Sequence, residues 1–437
     1  MPSLTPIHDF LTEYANSGTV RCHMPGHKGG ENPLDITEIH GADSLYESDL
    51  TGDIITQSEQ NAARLFGTRK TLYSCSGSTL AINAMLALAK AYGGGKSKVI
   101  ASRSSHRAFI SSCIHLRLTP IWVYPEKFMS ADISPAAIEE RITSDTAAVF
   151  INSIDYYGGR SDIKGIAEVC RRHGVPLLAD NAHGAYLAFD GENSHPTALG
   201  AAMCADSAHK TLPVLTGGAY LHIGDEKFSP LAKEMMCAFA TSSPSYLILD
   251  SLDKFNGYIT EHPDAVKEVC GKVAALKAQL TAAGVPLYDS DGMRITLDCA
   301  AVGSSGFSCA DCLRKHGIEC EYADGEYCVL LFGTSSGDAD FAAVKNVILN
   351  NDIFQQTAPA EKLGYINTVQ AMPPYEAFYA PRRRVSLNDA VGEICAELYS
   401  PCPPGVPLIM PGEVIDEQAA ELLRISEKKD IYVVSQS

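Results

Sequence analysis

Residues 175–186 read VPLLADNAHGAY, an apolar run that stops at an aspartate. The block Val175–Ala179 is short, β-rich and bounded by turn formers, so it reads as a buried strand delivering Asp180 at its carboxyl end. Open α/β sheets bind ligands at that edge. An acid there can equally cap a turn. Outward from it, helical and β-rich stretches alternate. Gln60–Phe66, Leu80–Tyr92 and Ile163–His173 have helical spacing. Lys98–Ala101, Ile121–Tyr124, Ala147–Ile151 and Gly218–Ile223 are short β-rich runs. That alternation predicts an α/β fold with a mainly parallel central sheet flanked by helices.

The domain reading follows the same pattern. Residues 1–60 form a polar, turn-rich amino-terminal arm, and 61–285 form a large α/β domain. Residues 286–355 suggest a small α+β domain, with strands at Met293–Cys299 and Tyr327–Phe332 around a helix at Ser308–His316. Residues 356–437 form a carboxy-terminal segment that contains SPCPPGVPLIMPGE at 400–413 and a helix at Ile415–Leu423.

The chain has 437 residues, and its formal charge is 35 − 52 = −17. An acidic chain of this kind argues against nucleic-acid binding through a broad basic face and suits cationic small molecules. Fourteen cysteines without a compact framework read as reduced thiols, pointing to a cytoplasmic protein. The first residues lack the charged start and apolar block of a signal peptide. No apolar run approaches the ~18 residues of a membrane helix.

Several motifs fail on inspection. GGGKS at 93–97 resembles the end of a phosphate loop, but its first glycine would fall on Lys90. Cys309-Ala-Asp-Cys312 lacks a second pair and sits in a helical pattern, favouring a structural role over zinc. Arg382–Arg384 reads as a solvated or interface patch.

Four other signals converge. CADSAHKTLPV at 204–214 places Ser207, His209 and Lys210 just before a strand, 30 residues after Asp180. Asn181, His183 and Gly184 follow the aspartate. Ser78 and Thr79 open the helix at Leu80, where free N–H groups and the helix dipole favour an anion. A plain Ser/Thr cap is the alternative. His106 follows the Lys98–Ala101 strand in a loop, where a histidine can also be a simple surface group. One cofactor uses all four. Pyridoxal phosphate needs a lysine for its aldehyde, an acid at its pyridine nitrogen, a phosphate cradle and a flat group on its ring. Lys210, Asp180, the Ser78–Thr79 turn and His106 match these needs, with Ser207 and His209 beside the phosphate.

With these residues in place, the chain resembles the Orn/Lys/Arg decarboxylases, pyridoxal-phosphate enzymes of the aspartate-aminotransferase fold (fold type I), in the short form without a wing domain. The resemblance runs nearly end to end through RCHMPGHKGG (21–30), SEQNAARLFG (58–67), SGST (76–79), DNAHGAY (180–186), SAHKTLPVLTGGAYL (207–221), TSSPSYLILDSLD (241–253) and PPGVPLIMPGE (403–413). It implies that Lys210 holds the cofactor covalently, Asp180 pairs with the pyridine nitrogen and His106 stacks on the ring. His183 joins the cofactor site, and Ser78, Thr79, Ser207 and His209 hold the phosphate. Thr241 and Ser242 would reach that phosphate from a neighbouring subunit, making the enzyme a homo-oligomer, at least a dimer. Glu413 would bind the distal cation of the substrate, with a helix-terminal carboxylate as the plainer alternative. Cys402 and Cys75 depart from the family pattern, which has an aromatic and an asparagine there.

The implied reaction is α-decarboxylation of arginine, lysine or ornithine, with a lean to arginine, giving agmatine or a diamine. Transamination, β-elimination and a non-catalytic binding protein of the same fold are the alternatives. Arg294 discriminates, because an arginine clamp on the substrate carboxylate opposes its loss.

Overall fold

The computed structural model describes residues 3–36, 53–127, 129–351, 353–354, 368–401 and 404–435. Cys402 and Pro403, as well as 37–52 of the amino-terminal arm and 355–367, lie outside the described residues. In chain order the described strands are β1 (Lys70–Ser74), β2 (Lys98–Ser102), β3 (Thr119–Val123), β4 (Thr146–Asn152), β5 (Leu177–Asp180), β6 (Met203–Asp206) and β7 (Ala219–Ile223). They continue with β8 (Leu287–Tyr288), β9 (Arg294–Asp298), β10 (Tyr322–Ala323), β11 (Tyr327–Leu331), β12 (Arg382–Ser386) and β13 (Asp430–Val434).

The chain divides into two compact units. One comprises 1–95, 163–268 and 333–335; the other comprises 96–162, 269–332 and 336–437. In the first, the strands run in the order β1-β7-β6-β5. β5 and β6 are parallel, and β7 runs antiparallel to both neighbours. The helix Gly77–Tyr92 packs on β6 and β7. Its residues 80–82 and 84–89 are all buried, so its alanine-rich composition reflects burial on several sides. The helix Ile163–His173 buries Ile163, Ile166, Ala167 and Cys170, a single stripe at helical spacing.

A polar knot fixes the amino-terminal helix Pro6–Asn16 to the helix Tyr246–Glu261. Asp253 accepts the His8 N–H at 2.8 Å, while Asn256 Nδ2 donates to Tyr73 Oη at 2.9 Å and Ser58 Oγ meets that hydroxyl at 2.7 Å. Burial with the neighbouring Asp250 pushes the Asp253 carboxyl up to about 7, against the pull of Ser58 and the His8 amide.

In the second unit β4-β2-β3 are all parallel, β10-β11-β9-β8 form an antiparallel sheet, and β12 pairs with β13. Arg382–Arg384 lie exposed on β12, where Arg383 and Arg384 pair with Glu393 and Asp430. The cysteines described are free thiols. No described helix is long and apolar enough to cross a membrane.

The α/β class and mostly parallel strands agree with the sequence. Among the first seven strands, β1 and β6 do not emerge from it, and neither do β8, β10, β12 and β13. β6 is the four residues Met-Cys-Ala-Asp, too short and too poor in β-branched residues to stand out. Its omission matters, because Lys210 follows β6 rather than simply preceding β7. The last helix also starts later than expected, at Glu417, with Asp416 accepting the Ala419 N–H as its cap.

Candidate active site

Asp180 is the last residue of β5, and Lys210 lies in the one-turn helix Ala208–Thr211 after β6. Asp180 pairs with Ala205 across the parallel ladder, and the Asn181 N–H continues it to the Ala205 carbonyl at 2.9 Å. Both strands therefore release their chemistry at the same carboxyl edge. His183 comes three residues after the aspartate, and its Nε2 lies 3.2 Å from Lys210 Nζ. Ser207 Oγ donates to Ser78 Oγ at 2.9 Å, joining the lysine turn to the first turn of Gly77–Tyr92.

That helix start is open. Ser76 is the N-cap, and its side chain caps nothing, so the plain-cap alternative does not apply. Gly77 N–H is tied to the Gly217 carbonyl at 2.8 Å. The amides of Ser78 and Thr79 are among the first-turn groups for which a helix offers no carbonyl. Gly217 has φ +97°, and a Cβ there would lie 3.2 Å from the Cys75 carbonyl oxygen. The turn thus depends on close backbone approach.

Asp180 is buried, which pushes its carboxyl up to about 6 despite the Ala182 N–H and the Lys210 charge. A buried acid next to a lysine is the setting that rewards a cationic ring nitrogen. His209 donates Nδ1–H to the Gly218 carbonyl at 3.0 Å, and burial lowers its pKa. The neutral ring then braces the lysine turn against the start of β7 and presents a lone pair at Nε2. Burial likewise pushes the Cys75 thiol up to about 12, keeping it neutral. Thr241 and Ser242 are exposed on a turn closed by the Ser243 N–H to Thr241 Oγ1 bond of 3.1 Å.

The second unit holds the remaining expected residues. His106 caps the helix Arg107–Leu116, accepting the Ala108 N–H on Nδ1 at 3.2 Å. Gly405 lies against its ring: a Cβ there would sit 2.5 Å from His106 Nε2. Glu413 is 1% exposed and pairs with Arg103 at 3.2 Å, itself 2% exposed. Its Oε2 also accepts the Met410 N–H at 2.9 Å, while its buried Oε1 has no hydrogen-bond partner. Glu413 is therefore not the helix-terminal carboxylate, a place held by Asp416. Arg103 further donates to the Pro407 and Leu408 carbonyls at 2.8 and 3.2 Å, tying down the turn that carries Glu413. Sequence reasoning missed Arg103, whose only signal was its place directly after β2. Arg294 is fully buried and paired with Asp291.

Comparison with known proteins then decides the family. Residues 5–278 match "Orn/Lys/Arg decarboxylase, major domain", and residues 360–430 match its C-terminal domain. The chain belongs to the Orn/Lys/Arg decarboxylase family. It is 27% identical to an arginine decarboxylase of Halalkalibacterium halodurans, over 98% of this chain and 94% of that one. It is also 27% identical to an arginine decarboxylase of Bacillus subtilis, over 95% and 92%. Among solved structures, a Francisella novicida lysine decarboxylase superposes with a TM-score of 0.79 at 15% identity, covering 99% of this chain and 81% of that one. The constitutive lysine decarboxylase of E. coli gives 0.75 at 16% identity, covering 99% and 82%. At these identities the superpositions establish the fold. The family carries the reaction class with it: this is a pyridoxal-phosphate-dependent amino-acid decarboxylase acting on basic amino acids.

Proposed function

We propose that the Lys210–Asp180–Ser78 constellation binds pyridoxal 5′-phosphate and that the substrate is arginine. The observation that carries the cofactor reading is a lysine amine, a buried acid and an uncapped helix start gathered by parallel strands β5 and β6. This donor set fits the cofactor's aldehyde, pyridine nitrogen and phosphate. When bound, the cofactor supplies an electron sink for the pair left on Cα as carbon dioxide departs.

The chain's own groups set up that loss. Lys210 would hold the cofactor through its aldehyde, and its amine, once free, would be placed to deliver a proton to the substrate. His183, 3.2 Å from Nζ, positions that amine and exchanges protons with it. Asp180 keeps a proton on the ring nitrogen. The hydroxyls of Ser78, Thr79 and Ser207 and the first-turn amides hold the phosphate, and Thr241 and Ser242 complete it from a second subunit. His106, its ring oriented by its cap bond and by Gly405, would supply the flat group for the cofactor ring. Arg294 stays with Asp291, which leaves the substrate carboxylate without that clamp.

The curated relatives named arginine decarboxylase support arginine as substrate. Glu413 already balances Arg103, so recognition of the substrate guanidinium falls to Oε1. Replacing it by glutamine keeps the shape and drops the charge. A rise in KM for arginine without loss of Tm supports recognition; a loss of Tm alone makes Glu413 a strut.

The decisive assay follows release of carboxyl-labelled carbon dioxide from arginine, lysine and ornithine, with Lys210→Ala alongside. Release from arginine, abolished in the variant, is the expected result. Absence of release from all three, with cofactor bound by absorbance, overturns the reading.

A further inference from the structure

Beneath the lysine turn lies a second cluster that the decarboxylation chemistry does not use. His195, Asp206 and His222 are completely buried, and one ligand atom of each lies within 4.8 Å of the others. His195 Nε2 is 3.0 Å from Asp206 Oδ2, and His222 Nε2 is 3.3 Å from that same oxygen. Cys204 Sγ stands 3.8 Å from His195 Nε2 and 3.3 Å from Asp206 Oδ1. Three potential metal-ligating side chains thus converge on one point inside the first unit, and Cys204 lies beside two of them. We propose that His195, Cys204, Asp206 and His222 form a structural zinc site.

Three observations support it. The first is spacing. Tetrahedral zinc with nitrogen, oxygen and sulfur ligands sets the ligand atoms roughly 3.3–3.7 Å apart, and the separations around Asp206 and His195, from 3.0 to 3.8 Å, bracket that range.

The second is how the rings are held. His195 Nδ1 engages Thr197 Oγ1 at 2.7 Å, and His222 Nδ1 engages Thr71 Oγ1 at 2.8 Å. Outer hydrogen bonds of this kind orient metal-binding imidazoles and leave Nε2 aimed at the ion. His222 Nε2 is likewise buried and aimed into the cluster, 3.3 Å from Asp206 Oδ2. Phe66 packs against both imidazoles at centroid distances of 5.8 and 4.4 Å, closing the cluster with an apolar wall.

The third is charge. A dication bound by one carboxylate, one thiolate and two neutral imidazoles is electrically neutral, which a completely buried site requires. Binding would release the Cys204 thiol proton to solvent. No electrons are transferred, because zinc does not change oxidation state.

The site has a structural place. Cys204 and Asp206 lie on β6, His222 lies on β7 directly opposite Cys204, and His195 comes from the loop before β6. Asn181 Nδ2 donates to Asp206 Oδ1 at 2.8 Å, linking the cluster to the residue after Asp180. The ion would therefore staple the strands that deliver Asp180 and Lys210, the lysine lying four residues beyond Asp206. This inference stands independently of the substrate and reaction.

The test uses the whole chain loaded with pyridoxal phosphate, expressed in zinc-supplemented medium and purified without metal-affinity resin. Elemental analysis should find about one zinc per chain, and zinc-edge absorption should show nitrogen or oxygen neighbours together with one sulfur. Cys204→Ser should lose that sulfur and at least half of the metal. Refolding with zinc should give a higher Tm than refolding with a chelator. Less than a tenth of a zinc per folded chain overturns the proposal. So does a full zinc complement whose absorption spectrum lacks imidazole and sulfur, a measurement on the unsubstituted protein that does not depend on any variant folding.

Discussion

Asp180 and Asp206 end neighbouring parallel strands, are both buried, and have opposite acidities. Asp180 is pushed up to about 6 by burial, opposed by one backbone N–H and the Lys210 charge. Burial works on Asp206 in the same direction, but the imidazoles of His195 and His222 outweigh it and hold that carboxyl well below the usual range. Burial alone therefore does not set the state of a carboxyl in this fold. Its polar neighbours do. Asp180 faces one lysine charge and one amide, whereas Asp206 lies between two imidazoles.

Substituting the two acids should separate function from stability. Asp180→Asn should lower kcat by about 10²–10³-fold, the scale of removing one preorganised charge from a site. The same change should leave Tm unchanged or higher, since it removes a poorly solvated carboxyl. A large fall in Tm with normal kcat would reverse the assignment.

Asp206→Asn should do the opposite. Breaking a buried ion pair costs about 3–5 kcal/mol, readable as a lower urea midpoint. Turnover per folded molecule should stay within a few-fold of the parent.

The pH dependence extends the comparison to Asp253, raised to about 7 by burial. A raised carboxyl means that the folded state binds more protons than the unfolded chain between about pH 4 and pH 7. Its contribution to stability is full below the unfolded value and falls as pH rises through that window. Asp253→Asn should flatten the slope of unfolding free energy between pH 4 and 7. An unchanged slope would mean that the Ser58 and His8 bonds already keep the carboxyl ionised.

Gly217→Ala should have the smallest effect. Its φ of +97° and the 3.2 Å approach to Cys75 oxygen impose about 1–3 kcal/mol of strain on the phosphate turn. Roughly tenfold weaker cofactor binding, measured by titration of absorbance, is expected with little change in kcat at saturation.

Much of this was legible because local chemistry announces itself. Val175–Ala179 and its terminal aspartate, the uncapped SGST turn and the lysine in SAHK are each written in contiguous residues. The omissions are of one kind. β6 is four residues long, and its strand character comes from the partners on either side of it. Arg103 gains its role from a glutamate 310 residues away. His195 and His222, 27 residues apart, carry no motif spacing.

The sequence by itself determined the α/β class and the family, since these depend on pattern and on short motifs. The tertiary structure alone decided which buried acid is raised by burial and which is held ionised by two imidazoles. It also turned Glu413 from a free carboxylate into a paired one. Those outcomes follow from desolvation and from charges brought within a few ångströms by folding, which no linear spacing records.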